Sequence, residues 1–140
     1  MIAHYVRDHG YTPPAEFLAA LTRTGSLDWD DRAEVLVSLL VSDRAEPGWR
    51  DAAAIDIANW HDGRALEALL VAGLDDHIVD YSGRSIGVSI AEFWGRAGAV
   101  DDDSYLALLP QVQWGVLTGL GEGDPELAEG LFVPPEKFNY

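Results

Sequence analysis

Apolar residues in this chain recur three and four positions apart, in segments of roughly ten to fourteen residues that are each stopped by Gly, Pro or Asp. No stretch of useful length alternates apolar and polar residues, so helical periodicity stands without a competing strand pattern. This punctuation predicts an all-α chain. Pro13 and Pro14 open a first helix running to about Thr24, with Phe17, Leu18 and Leu21 on one face and Gly25 as its stop. Asp28 or Asp30 caps a second through Val41, with Asp30, Asp31 and Glu34 in the acidic first turn that the helix dipole favours. A turn over 43–48 follows. A third helix covers about Trp49 to Trp60, and its alanine density (Ala52, Ala53, Ala54, Ala58) suits close neighbours, which predicts a central place for it.

His61-Asp62-Gly63 reads as a turn before a fourth helix, Arg64 to Ala72, whose stripe is Leu66, Leu69 and Leu70, continued by Leu74. Asp75 and Asp76 form a loop or cap. A fifth helix begins at Val79 or Gly83 and runs to Arg96, with Gly98 as its end. Asp101, Asp102 and Asp103 cap a short helix, Ser104 to Leu109. Pro110 breaks it and opens another, Gln111 to Leu120. Gly119, Gly121 and Gly123 interrupt the pattern, and Asp124-Pro125 restarts a last turn or two through Leu131. The tail, 133–140, is expected to be irregular. The 140 residues suit a single domain, 1–140, able to bury a core.

Charge narrows the functions available to such a chain. Asp and Glu number 24 against 9 Lys and Arg, a formal net charge of −15. A field of that sign repels nucleic-acid backbones and anionic lipid, and attracts basic proteins. The longest apolar runs are a few residues, such as Val35-Leu36-Val37, whereas a bilayer span needs about 20. Residues 1–14 lack the apolar stretch of a signal peptide. No cysteine is present, which removes disulfides, thiolate metal sites and cysteine nucleophiles together. The expected location is cytoplasmic.

His61 and His77 each adjoin an aspartate, Asp62 and Asp76, but neighbours on a turn do not face each other, and a surface loop explains them better than base catalysis. Asp101 to Asp103 lack the alternating acids, central glycine and distal glutamate of a calcium loop, so helix capping is the better reading. The run Gly119 to Gly123 has no preceding strand, and Glu122 and Asp124 would repel a phosphate. Ser82-Gly83-Arg84-Ser85 reads as a turn without a base partner. No enzyme activity, metal or cofactor is expected. Of the five tryptophans, Trp60 and Trp94 read as core. Trp29, flanked by Asp28, Asp30 and Asp31, reads as an exposed aromatic anchor ringed by carboxylates.

The chain also repeats itself. Trp49-Arg50-Asp51-Ala52-Ala53-Ala54 to Trp60 can be laid over Gly83-Arg84-Ser85-Ile86-Gly87-Val88 to Trp94 at an offset of 34, matching Arg50 with Arg84 and Trp60 with Trp94. Arg64-Ala65-Leu66-Glu67-Ala68-Leu69 likewise matches Ser104-Tyr105-Leu106-Ala107-Leu108-Leu109. From Arg50 to Gly98, on the pieces Arg50-Asp51-Ala52-Ala53-Ala54, Asp62-Gly63-Arg64-Ala65-Leu66-Glu67-Ala68-Leu69, Asp75-Asp76-His77-Ile78-Val79 and Arg84, the chain resembles HEAT-type helical repeats of the short bacterial kind. It departs from that pattern by extra residues between Asp76 and Arg84. The resemblance implies a short stack of antiparallel helical hairpins (a HEAT-like α-solenoid), with 49–120 as the repeat-like core, and a protein-binding role without catalytic residues.

Together these readings predict an acidic protein-binding module, in its sharpest form an immunity or inhibitor protein that neutralises a basic toxin or nuclease. The expected binding residues are Asp28, Trp29, Asp30, Asp31, Asp75, Asp76, Asp80, Asp101, Asp102 and Asp103, all near helix starts or turns. The alternatives are a HEAT-like scaffold, or an enzyme or accessory subunit of an enzyme complex with His61, Asp62, His77 and Asp80 lining a cleft between hairpins.

Overall fold

A computed structural model describes residues 27–42 and 44–135. Among these there are seven α-helices and no strand: α1 (Asp31–Val41), α2 (Pro47–Asp56), α3 (Gly63–Ala72), α4 (Asp76–Ala97), α5 (Asp102–Ala107), α6 (Pro110–Gly123) and α7 (Pro125–Ala128). A 3-10 turn, Ile57–Asn59, extends α2. The helix expected over Pro13 to Thr24 and residues 136–140 of the expected tail lie outside the described residues. Residues 133–135 have no regular structure.

Local chemistry sets the helix starts. The carboxylates of Asp30, Asp62, Asp75 and Asp101 each accept a bond from a backbone N–H of the helix that follows, satisfying donors with no partner inside the helix. Pro47, Pro110 and Pro125 open α2, α6 and α7, where a missing N–H costs nothing. Gly98 ends α4 at φ 72°, a left-handed conformation that suits glycine.

Several expected boundaries move. α4 begins at Asp76, not Val79 or Gly83, because Asp75 caps it. Ser82 and Gly83, expected in a turn, are buried inside α4, which absorbs the extra residues. α6 runs through Gly119 and Gly121 to Gly123, so these glycines do not interrupt it. The helix expected over Ser104 to Leu109 is α5, Asp102–Ala107, and the last helix stops at Ala128. Leu74 leaves the α3 stripe and is exposed in the turn to α4.

The central helix is α4, not the alanine-rich α2: it packs against α2, α3 and α6. Ser89 donates to Ala54 O at 2.6 Å, and further along α4 Arg96 Nη2 donates to Ala58 O at 3.3 Å. Numbers rise together on both sides, so α2 and α4 run in the same direction. The same logic holds for α4 and α6, where Gly87 meets Gly115 and Ala91 meets Gly119. The chain must therefore travel back between them, and α3 and α5 lie on these returns. A backbone bond from Leu109 N to Gly73 O (3.2 Å) ties the end of one return to the end of the other.

The core follows this arrangement. Ile57, Trp60, Leu69, Ile78, Ile86, Ile90, Trp94, Val112 and Val116 are all buried. Trp60 and Trp94 are core residues as expected, at 3% and 4% exposure. The other pair matched at the offset of 34, Arg50 and Arg84, behaves differently. Arg50 is buried and donates to Ser42 O (3.1 Å) and Ala45 O (3.0 Å), fastening the α1–α2 turn, whereas Arg84 is exposed on α4.

The tightest packing is the α4–α6 seam. A Cβ added at Gly87 would stand 2.2 Å from Val112 O and 2.7 Å from Gly115 Cα. One added at Gly115 would stand 2.4 Å from Arg84 O. The two backbones touch where side chains normally keep helices about 8–10 Å apart. Gly83 and Gly87, and Gly115 and Gly119, are four apart and so share a helix face.

Candidate functional site

The parallel run of α2, α4 and α6 gives the molecule two unlike ends. At one lie the C-termini of α2 with its 3-10 turn, α4 and α6, together with the starts of α1 and α3. At the other lie the starts of α2, α4 and α6. The expected acidic residues divide between them. Asp75, Asp76 and Asp80 belong to the start of α4. Asp28, Trp29, Asp30 and Asp31 belong to the start of α1, beside the 3-10 turn and the start of α3. Asp101, Asp102 and Asp103 follow the C-terminus of α4, a helix about 33 Å long at 1.5 Å per residue.

Three of these aspartates have local work. Asp30 accepts from Ala33 N at 3.1 Å, Asp75 from His77 N at 2.9 Å, and Asp101 from Ser104 Oγ at 2.8 Å and Ser104 N at 3.4 Å. Asp31, Asp76, Asp80, Asp102 and Asp103 are exposed. Asp28 is exposed, with its carbonyl accepting from Trp60 Nε1 at 3.1 Å.

Trp29 is half-buried rather than standing free among carboxylates. Its Nε1 donates to Glu34 Oε1 at 2.7 Å, and the Arg64 guanidinium lies 4.4 Å from its ring centroid. Arg64 also binds Asp62 through both arms, Nε to Oδ1 at 2.9 Å and Nη2 to Oδ2 at 2.8 Å. Those bonds, with one from the Arg64 backbone N–H, hold the Asp62 carboxyl down at about 2. Arg32 sits 5.4 Å from the Trp60 ring centroid and 3.5 Å from Asp30 Oδ2. The corner is a set of arginines stacked on tryptophans, with carboxylates holding the arginines in place.

The histidines are not brought together. His61 precedes α3 and His77 follows it, so about 15 Å of helix separates them. Asp62 is engaged by Arg64, and His77 and Asp80 are exposed at the start of α4. Burial and the charge of Arg96 both lower the His61 pKa. Among the described residues no group of three or more His, Asp or Glu is placed to hold a metal ion. No described helix is long and apolar enough to cross a membrane.

Sequence reasoning missed a groove between the C-terminal halves of α4 and α6, about 480 Å³ in volume. The walls carry Glu92, Arg96, Glu122 and Asp124, and the floor includes Val88, Gly95 and Gly119. Its signal was present in the glycine spacing of α6, which reads as helix interruption until the helix it packs against is known. Arg96 is anchored at the rim: it donates to Ala58 O, stacks 4.5 Å from the Phe93 ring centroid and approaches Glu92 Oε2 at 3.8 Å. No family model, curated protein or solved structure matches the chain.

Proposed function

We propose that this chain is an acidic protein-binding module that neutralises a basic partner, in its sharpest form an immunity or inhibitor protein acting on a cationic toxin or nuclease. One observation carries the reading: the few described cations are largely engaged within the molecule. Arg50 is buried on backbone carbonyls, Arg64 is locked to Asp62 and Trp29, Arg96 is spent on Ala58 O and Phe93, and Arg32 stacks on Trp60. Most of the described carboxylates are exposed, so the described surface is predominantly anionic. Such a surface mimics the polyanion that a basic nuclease groove binds. The common direction of α2, α4 and α6, with returns between them, supports the finer reading of a short HEAT-like stack of antiparallel hairpins. In that reading the chain acts in the cytoplasm.

A scaffold or accessory-subunit role is the second reading. It is favoured by Trp49 and Tyr81, aromatic side chains exposed at 64% and 63% near the starts of α2 and α4. The two readings differ in salt response. Affinity capture by the full chain, followed by titration of the captured protein at low and high ionic strength, is the test. An immunity-type partner is basic, and its affinity falls steeply with salt. A neutral partner whose affinity ignores salt, and is lost on Trp49→Ala, supports the scaffold instead.

A further inference from the structure

We propose that the groove between the C-terminal halves of α4 and α6 receives an arginine- or lysine-bearing segment of the basic partner; this rests on the binding reading above and gives it a place. The groove follows from the seam. Glycines hold the two helices in backbone contact at Gly87 and Gly115, and the contact persists at Gly119, whose added Cβ would meet Ala91 Cβ at 2.7 Å. Beyond it the helices part: a Cβ on Gly95 or Gly123 would meet nothing within 4 Å. The space that opens has no side chain on those glycines to fill it. It is floored by apolar and backbone atoms, which suits the aliphatic stem of a long cationic side chain.

The electrostatics of the groove favour a cation for two separate reasons. Parallel helices place the negative dipole ends of α4 and α6 together at the mouth; Arg96 sits in the last turn of α4, whereas the last turn of α6 contains no basic residue to offset its end. Three carboxylates line the walls. Of these, Asp124 differs from the other aspartates at described helix starts: Asp30, Asp62, Asp75 and Asp101 all spend an oxygen on a cap, whereas Asp124 makes no side-chain cap bond to α7. Glu122 is exposed beside it. The one cation in the lining, Arg96, is held by Ala58 O, the Phe93 ring and Glu92, and offsets the charge of Glu92. Glu92 pairs with Arg96, so the groove combines an unfilled apolar floor with two carboxylates, Glu122 and Asp124, that hold neither a helix cap nor an ion pair among the described residues.

The test is a titration of the isotope-labelled full chain with a synthetic peptide of alternating arginine and leucine, read from the amide shifts of Gly95, Gly119 and Gly123. The inference expects saturable shifts at these glycines. Glu122→Gln/Asp124→Asn weakens the peptide by about tenfold. Gly95→Leu, which fills the floor without touching charge, weakens it comparably. Glu46→Gln/Glu67→Gln removes the same charge from exposed residues outside the groove and changes affinity by less than about twofold. Shifts centred on Asp28–Asp31 or Asp101–Asp103, or equal losses from the two charge-removing pairs, overturn the groove and leave the basic-partner reading standing. A peptide that fails to bind at all at physiological salt removes both.

Discussion

The α4–α6 seam and the corner where α1, the 3-10 turn and α3 meet hold helices together by opposite means. At the seam, glycines remove side chains so that backbones touch, and Gly87 and Gly115 leave no room for even one methyl group. At the corner, large side chains fill the interval: Trp60 is buried, Trp29 is covered by Arg64, and Asp28 O, Asp62 and Glu34 bind the polar edges. The seam is therefore intolerant of added volume and indifferent to charge. The corner depends on removable polar contacts and responds to pH. The difference teaches that acidity in this chain has two uses, one that fastens helix starts and corners and one that is left for solvent or a partner.

The sharpest way to break the comparison is at the seam. Gly87→Ala places a Cβ against backbone on both sides, where nothing flexible yields, and is expected to cost about 3 kcal/mol or more despite the higher helix propensity of alanine. Gly121→Ala, in the same α6 but facing open space, is expected to stabilise by up to about 1 kcal/mol. Urea midpoints of the two variants moving in the same direction would contradict the seam. At the corner, Trp60→Phe keeps most of the apolar bulk but leaves Asp28 O without its donor. A loss of about 1–2 kcal/mol in thermal unfolding is expected, well short of the seam variant. Asp75→Ala removes the cap of α4, and denaturant melts should show about 1 kcal/mol lost.

The smallest expected effect is electrostatic. Asp62 is held at about 2, below the ordinary aspartate value near 4, by its bonds to Arg64. A depressed carboxylate favours the folded state at pH above its unfolded pKa, and that contribution is lost as pH falls from about 4 through about 2. Carbon-13 titration of the Asp62 carboxyl should give a midpoint about 2 in the native chain. In Arg64→Met the midpoint should return toward the ordinary range; an unchanged value would mean that Arg64 is not its cause.

Much of this was legible in the residues. Asp30 and Asp101 announce helix starts by type and position, and Trp60 and Trp94 announce the core as large apolar residues near helix ends. What escaped was the meaning of glycine. A lone glycine weakens an isolated helix, so Gly83, Gly119, Gly121 and Gly123 read as boundaries. Only a facing helix that comes into backbone contact turns the fourfold spacing of Gly83, Gly87, Gly115 and Gly119 into a packing signal. The acidic surface was legible as charge but not as geometry. The cover over Trp29 depends on Arg64, a neighbour that spacing does not reveal. The groove residues Glu92, Glu122 and Asp124 lie on two helices whose common direction no local pattern encodes.

The central claim is that exposed carboxylates of this chain bind a basic protein. Calorimetric titration of the full chain with its captured partner, at low and at high ionic strength, tests it most directly. The account predicts a basic partner whose dissociation constant weakens by about tenfold or more as salt screens the interface. A partner of acidic or neutral charge, held equally tightly at both ionic strengths, would contradict it.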